Sequence, residues 1–214
     1  MPTFPFLLPV DRETVTRTSE RHIAGGVVSL NRKTELPIVF THAEGAYLYD
    51  TEGRRYIDYH AAFAPHLLGH HHPEVTAAVR AALEGGWSLM GSGTTPWEAR
   101  LSELLCASVP GLERVQILNT GSEASALAIR LARAWTGHDD VVLTLGGYNG
   151  WHDDVGQAVM PTLEAIGSRR PGGEYPLLPI SAGIPESTRQ RLHVINFNDL
   201  EAVEAAFRKH RVAC

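Results

Sequence analysis

From Arg114 onward the sequence keeps switching between two hydrophobic periods, and that alternation limits the folds open to the chain. Arg114-Val115-Gln116-Ile117-Leu118 predicts a strand. Ser122 to Trp135 predicts a helix with Ala124, Leu127, Ala128, Leu131 and Trp135 inward, stopped by Gly137. Val141 to Leu145 and Leu192 to Phe197 read as further strands, and Asp199 to His210 as a helix capped by Asn198. Strand–helix alternation of this kind builds a layered α/β sheet. After the last helix, Arg211-Val212-Ala213-Cys214 reads as the start of another strand. A sheet that loses a strand midway leaves unpaired backbone, so the chain is expected to be incomplete.

Upstream the pattern differs. Residues 1–20 lack sustained periodicity and are expected to form a loosely packed arm. Pro37 to Phe40 is a short extended run. Ala46-Tyr47-Leu48-Tyr49 and Arg55-Tyr56-Ile57-Asp58 flank an Asp/Gly turn, which is a hairpin signal. Pro73 opens a helix with Val75, Val79, Ala82 and Leu83 at helical spacing, ending at Gly85-Gly86. Thr95 caps the next helix, with Pro96 in its first turn, Glu98 completing a capping box, and Leu101, Leu104 and Leu105 as the buried stripe. Residues 146–190 are rich in Gly and Pro and predict a long loop, a length that is usually functional or disordered. Two segments are expected: 1–72, an arm and hairpin, and 73–214, part of a large α/β domain.

Composition removes several classes of function. The 214 residues are 43% hydrophobic and 20% charged, an ordinary globular balance. With a formal net charge of −5 and no basic run, no nucleic-acid partner is expected. No apolar stretch approaches the roughly 18 residues of a membrane span, and the proline-broken start lacks a basic leader. Two cysteines, Cys106 and Cys214, exclude a disulfide scaffold and suit a cytoplasmic protein. Cys106 falls in a helix stripe and reads as a small buried apolar group. Only two lysines, Lys33 and Lys209, stand against seventeen arginines, so a lysine nucleophile has two candidates.

Two loops carry chemistry. Asn119-Thr120-Gly121-Ser122-Glu123-Ala124 joins a strand to an amphipathic helix. A helix N-terminus aims several N–H donors at one spot with a favourable dipole, Gly121 admits close approach, and Ser122 adds a hydroxyl; this suits a phosphate. The dipole contributes only about 0.3–2 kcal/mol, so loop geometry must supply the rest. The same residues also fit a plain turn in which Ser122 merely caps. Leu145 to Asp153 follows the next strand, and Tyr148 among its glycines could stack on a flat ring for roughly 0.5–1.5 kcal/mol beyond burial. Ligands of open α/β sheets sit outside the carboxyl ends of strands, which would put both loops at one pocket. Taken alone, the second loop also reads as simply a loop. The run His70-His71-His72, with His60 and His66 nearby, lacks a spaced acidic or cysteine partner and is not expected to bind metal.

Together these residues resemble the class III, fold-type-I, pyridoxal-phosphate-dependent aminotransferases, with the glutamate-1-semialdehyde aminomutase branch nearest. The likeness runs from about Ile23 to the end. Gly25-Gly26-Val27 with Ser29 and Arg32, Glu44 to Asp50 with Gly53 and Tyr56-Ile57-Asp58, Leu68-Gly69-His70 with His72-Pro73, Asn119 to Ala124, and Ile129 to Arg133 match in order. The resemblance implies an N-terminal segment plus the first part of a large three-layer α/β/α domain with an incomplete sheet. It implies pyridoxal 5'-phosphate as cofactor, bound by Thr120, Gly121, Ser122, Tyr148 and Asn149. Arg32 would receive a substrate carboxylate, a task suited to a bidentate fork, and Phe63 would lie beside the substrate. A solvated surface arginine and ordinary packing are the alternatives for those two.

Asn149 stands where the family has a histidine after the tyrosine. The family's cofactor-binding lysine and the aspartate that holds the pyridine nitrogen match nothing here; by the resemblance both belong beyond Cys214. The reading is therefore amino-group transfer on an amino acid or related amine, by transaminase or aminomutase chemistry, with small-molecule amino donor and acceptor and a homodimeric complete enzyme. This chain would be an N-terminal portion without the covalent anchor. The alternative is a catalytically inactive short pseudoenzyme or interaction partner.

Overall fold

The computed structural model describes residues 11–29, 32–86 and 92–214. The expected arm at 1–10 lies outside them. The chain divides into two compact units, Met1–Thr94 and Thr95–Cys214.

In the first unit, helix α1 spans Arg12–His22 where the sequence pattern predicts only an arm. Its cause is terminal rather than periodic. The Asp11 side chain accepts the Thr14 amide, Glu13 stands in the first turn, and Arg21 and His22 complement the dipole in the last. The hairpin signal resolves into an antiparallel meander of β1 (Phe40–Glu44), β2 (Tyr47–Asp50) and β3 (Arg55–Ile57). Buried Asp50 organises the β2–β3 turn. Its Oδ1 accepts the amides of Glu52 and Arg54, and its Oδ2 accepts Arg54 Nε at 2.7 Å and the Tyr56 hydroxyl at 2.9 Å.

The same unit explains why two separated motifs occur together. Gly45 and His70 exchange both backbone hydrogen bonds, and a Cβ on Gly69 would come within 2.9 Å of the Gly45 carbonyl oxygen. Asp58, at the end of the hairpin, lies 2.7 Å from His70 Nε2. Glu44–Asp50, Asp58 and Leu68–His70 are thus parts of one interlocked turn. Helix α2 follows at Pro73–Glu84.

In the second unit, α3 (Pro96–Ser108) starts with the expected Thr95/Glu98 capping box. Residues 112–118 form no strand: a strand needs a ladder partner, and none of the described residues pairs with Arg114 to Leu118. Helix α4 (Gly121–Thr136) leads through left-handed Gly137 into β4 (Val141–Thr144). After the short helix α5 (Glu186–Arg189) come β5 (Leu192–Ile195) and α6 (Leu200–Lys209). β4 pairs with β5 in parallel, in the register Val141↔Leu192 to Thr144↔Ile195. Residues 211–214 lie along the other edge of β4, with a parallel bridge between Asp140 and Val212. The α6 cap is Asp199, whose side chain accepts the Ala202 amide; Asn198, expected there, instead takes a left-handed turn with φ 60°.

The core joins Ile129 of α4 with Val141, Leu143, Leu192 and Val194 of the strands and Val155 and Ala158 of the expected loop. The 146–190 region is therefore partly core. It is laced to the sheet by an antiparallel bridge at Tyr175↔Val194 and to itself by one at Gln157↔Pro179. The inward stripe of α4 also differs from its apolar pattern. Leu131 and Trp135 are exposed, and the less accessible face runs through Ser122, Ser125, Ala126, Ile129, Ala132 and Arg133. Its polar members have partners in the loop after β4. Of the predicted stripes, Val75, Val79 and Leu83 of α2 and Leu101, Leu104 and Leu105 of α3 remain exposed among the described residues, while Ala82 of α2 is half-buried. Cys106, expected to be buried, is only partly so.

Candidate functional site

The N-terminus of α4 sorts its free amides into two groups. Thr120 Oγ1 accepts the Glu123 amide at 3.1 Å, while Glu123 Oε2 accepts the amides of Asn119 at 2.9 Å and Thr120 at 3.1 Å. That reciprocal box satisfies the outer donors. The amides of Gly121 and Ser122 have no partner among the described residues, and the space where a Cβ of Gly121 would lie is open. Thr120, not Ser122, is the cap. Ser122 therefore does not cap, and its side chain is left for other work.

The loop after β4 is clamped onto this helix end. Trp151 donates its amide to Ser122 Oγ at 3.3 Å, so the Ser122 hydroxyl proton remains available. Ser125 Oγ reaches the Asn149 carbonyl at 2.6 Å and His152 Nε2 at 3.0 Å. Gly150, at φ +124°, packs so tightly that a Cβ would lie 2.9 Å from Ser122 Cα and Oγ. Farther along, Arg133 holds Asp154 through two bonds of 3.0 and 2.8 Å, and the Asp154 hydrogen bond holds the guanidinium charged despite burial. Thr120, Gly121, Ser122, Tyr148 and Asn149 therefore lie on two loops fastened to each other. Tyr148, two residues before the Gly150 contact, exposes its ring. Asn149 contributes its backbone carbonyl.

Ser125, His152 and the Arg133–Asp154 pair escaped the sequence reading. Their signal was available: Ser122, Ser125 and Arg133 fall on one helical face that an apolar-only count rejects.

The two remaining candidates belong to the first unit. Arg32 is exposed and donates its amide to the Ser29 carbonyl at 2.9 Å. Phe63 is exposed, edge-on to His60 at 4.2 Å between ring centres, within a run from Ala61 to Ala64 at positive φ. Of the lysines, Lys33 is exposed in the first unit and Lys209 donates to Glu174 Oε1 at 3.0 Å.

Glu174 is the centre of a second polar cluster that sequence reasoning did not find. Burial opposes its ionisation, but hydrogen bonds from His210 and Lys209 outweigh it and hold its pKa at about 2. Burial, reinforced by the neighbouring His210, pushes the His193 imidazole toward its neutral form.

The sequence matches the family model described as aminotransferase class-III over residues 28–153, more than half of the chain. The chain belongs to the class III aminotransferases. An omega-transaminase from Sphaerobacter thermophilus superposes on this class III chain with a TM-score of 0.82 at 24% identity, covering 96% of the chain and 46% of the transaminase. A transaminase with PLP bound gives 0.80 at 26% identity, covering 94% and 45%. A glutamate-1-semialdehyde aminomutase from Pseudomonas aeruginosa gives 0.74 at 24% identity, covering 95% and 43%. The fold is that of the fold-type-I transferases, and this class III chain spans less than half the length of the solved structures it matches.

Proposed function

We propose that this chain carries the phosphate-binding and ring-facing part of a pyridoxal-phosphate-dependent active site serving amino-group transfer on an amino acid or related amine. The observation that carries the reading is the pair of amides, Gly121 and Ser122, without a partner among the described residues, at the start of a sixteen-residue helix. The Ser122 hydroxyl stands beside them as a third donor. A phosphate dianion placed there completes the donors the capping box leaves free and meets the positive end of the α4 dipole. When bound, the cofactor would supply an electron sink for the substrate's α-carbon. The chain's own part is to hold the phosphate, cover the ring with Tyr148, and keep both loops in register through Ser125 and Asn149.

Arg32 would take the substrate carboxylate and Phe63 would flank the substrate, with the donor and acceptor small molecules and the complete enzyme a homodimer in the cytoplasm. Neither Lys33 nor Lys209 is assigned a bond to the cofactor aldehyde, since neither matches the family's cofactor-binding lysine and Lys209 is committed to Glu174.

Titration of the ¹⁵N-labelled chain with pyridoxal phosphate should shift the Gly121 and Ser122 amides and the Tyr148 ring. Pyridoxal without its phosphate should bind roughly tenfold more weakly or worse, the scale of one lost charge-assisted contact. Borohydride reduction should leave no stoichiometric adduct on either lysine. Equal affinity for both compounds, or shifts confined to other residues, would refute the assignment.

A further inference from the structure

At the far end of the second unit, four elements bring nitrogen and oxygen ligands together. Asp140 immediately precedes β4, His193 lies within β5, His210 caps the C-terminus of α6, and Glu174 comes from the packed 146–190 region. The two imidazoles stack at 3.6 Å between ring centres, tilted by 22°. Like-type rings that can both be protonated rarely gain from such contact unless something fixes their protons.

Glu174 fixes them. Its Oε2 lies 3.4 Å from His193 Nδ1 and its Oε1 lies 2.8 Å from His210 Nε2. An ionised carboxylate only accepts, so both of those ring nitrogens carry hydrogen. In a neutral ring the opposite nitrogen then bears a lone pair. For His193 that nitrogen is Nε2, which is buried, has no hydrogen-bond partner, and faces Asp140 Oδ2 at 3.8 Å. A lone pair aimed at a carboxylate in a buried site is a repulsive arrangement, and it becomes an attractive one when a cation lies between. Ligand atoms of Asp140, His193 and His210 all fall within 4.8 Å of one another.

We propose that Asp140, His193 and His210 form a binding site for a divalent transition cation such as Zn²⁺, with Glu174 orienting both imidazoles from behind. Two imidazoles and one carboxylate are the donor set of Zn²⁺ or Co²⁺; Mg²⁺ and Ca²⁺ prefer oxygen throughout. Carboxylate support of the outer histidine N–H is the usual second layer of such sites. Zn²⁺ ligands stand about 3.3 Å apart at ordinary bond lengths, so binding requires the imidazoles to splay and close on Asp140. Placement at the C-terminus of α6 adds a favourable helix dipole for a cation. Bound there, the ion would tie α6 and β5 to the start of β4.

The test uses the whole chain with Zn²⁺ and Co²⁺ alone. One equivalent of Co²⁺ should give a visible spectrum of low-symmetry, near-tetrahedral type and broaden the His193 and His210 ring protons. His193→Gln and Asp140→Asn should each weaken Zn²⁺ binding roughly tenfold or more, and Glu174→Gln should weaken it roughly 10–100-fold. His71→Ala/His72→Ala should leave it unchanged. The histidine-rich turn is the rival location. Broadening confined to His66 and His70–His72, or Zn²⁺ affinity lost in His71→Ala/His72→Ala, would overturn the proposal. The wild-type broadening pattern decides the matter even where a buried variant fails to fold.

Discussion

At Gly150 the decisive feature is an atom the residue does not have. A methyl group there would collide with Ser122 Cα and Oγ at 2.9 Å, at a φ of +124° that side chains avoid. Gly150→Ala should therefore cost about 1–3 kcal/mol in urea unfolding. It should also abolish the Gly121 and Ser122 amide shifts with pyridoxal phosphate, because the helix end and the loop separate together. A second residue-scale device is Asp50. Burial favours its neutral form, yet Arg54, the amides of Arg54 and Glu52, and the Tyr56 hydroxyl prevail, lowering its pKa to about 2. A carboxyl held lower in the folded than in the unfolded chain contributes stability above the unfolded pKa of 3.8. That contribution is lost as pH falls from there toward 2. Hairpin stability, followed by amide exchange, should fall across that window in the wild type and stay flatter in Asp50→Asn.

Elements here are started by their ends and seated by their faces. The cap of α3 was legible from its Thr-x-x-Glu pattern, and the same pattern at Thr120/Glu123, read from sequence as a ligand loop with Ser122 as the possible cap, forms the box of α4. Thr120→Ala should destabilise the second unit by roughly 0.5–2 kcal/mol. It should also free the Glu123 amide at the candidate phosphate site, changing the pattern of shifts on ligand addition. The face of α4 was not legible, since Leu131 and Trp135 point outward while Ser122, Ser125 and Arg133 face the loop after β4. Arg133→Met removes a bidentate, three-quarters buried pair with Asp154. It should cost about 1.5–3 kcal/mol and raise amide exchange from Asn149 to Val155 more than elsewhere in the unit.

For the whole molecule, the exposed stripes of α2 and α3 are the conspicuous property. Single exposed leucines are ordinary, but Val75, Val79 and Leu83, and Leu101, Leu104 and Leu105, each follow helical spacing. The chain should bind an apolar dye such as ANS in its native state, and Val79→Glu/Leu83→Glu should reduce that fluorescence without lowering helix content. The membership in the class III aminotransferases was readable at this scale from ordered motifs alone. The structure adds how they meet in this chain: Gly45, Asp58, Gly69 and His70 make one interlocked turn.

Local chemistry needs only neighbours in the chain. The capping box of α3, the Gly137 stop, the Asp50 turn and the strand–helix alternation around β4 and β5 were therefore decided by the sequence itself. Side-chain partners far apart in the chain have no such local code. The docking of the 146–190 region into the core, the clamp of Ser125 and Arg133 on the second loop, and the meeting of Asp140, Glu174, His193 and His210 were decided only by tertiary folding. Each depends on which distant backbone comes within hydrogen-bonding reach, and a hydrophobic period carries no record of that.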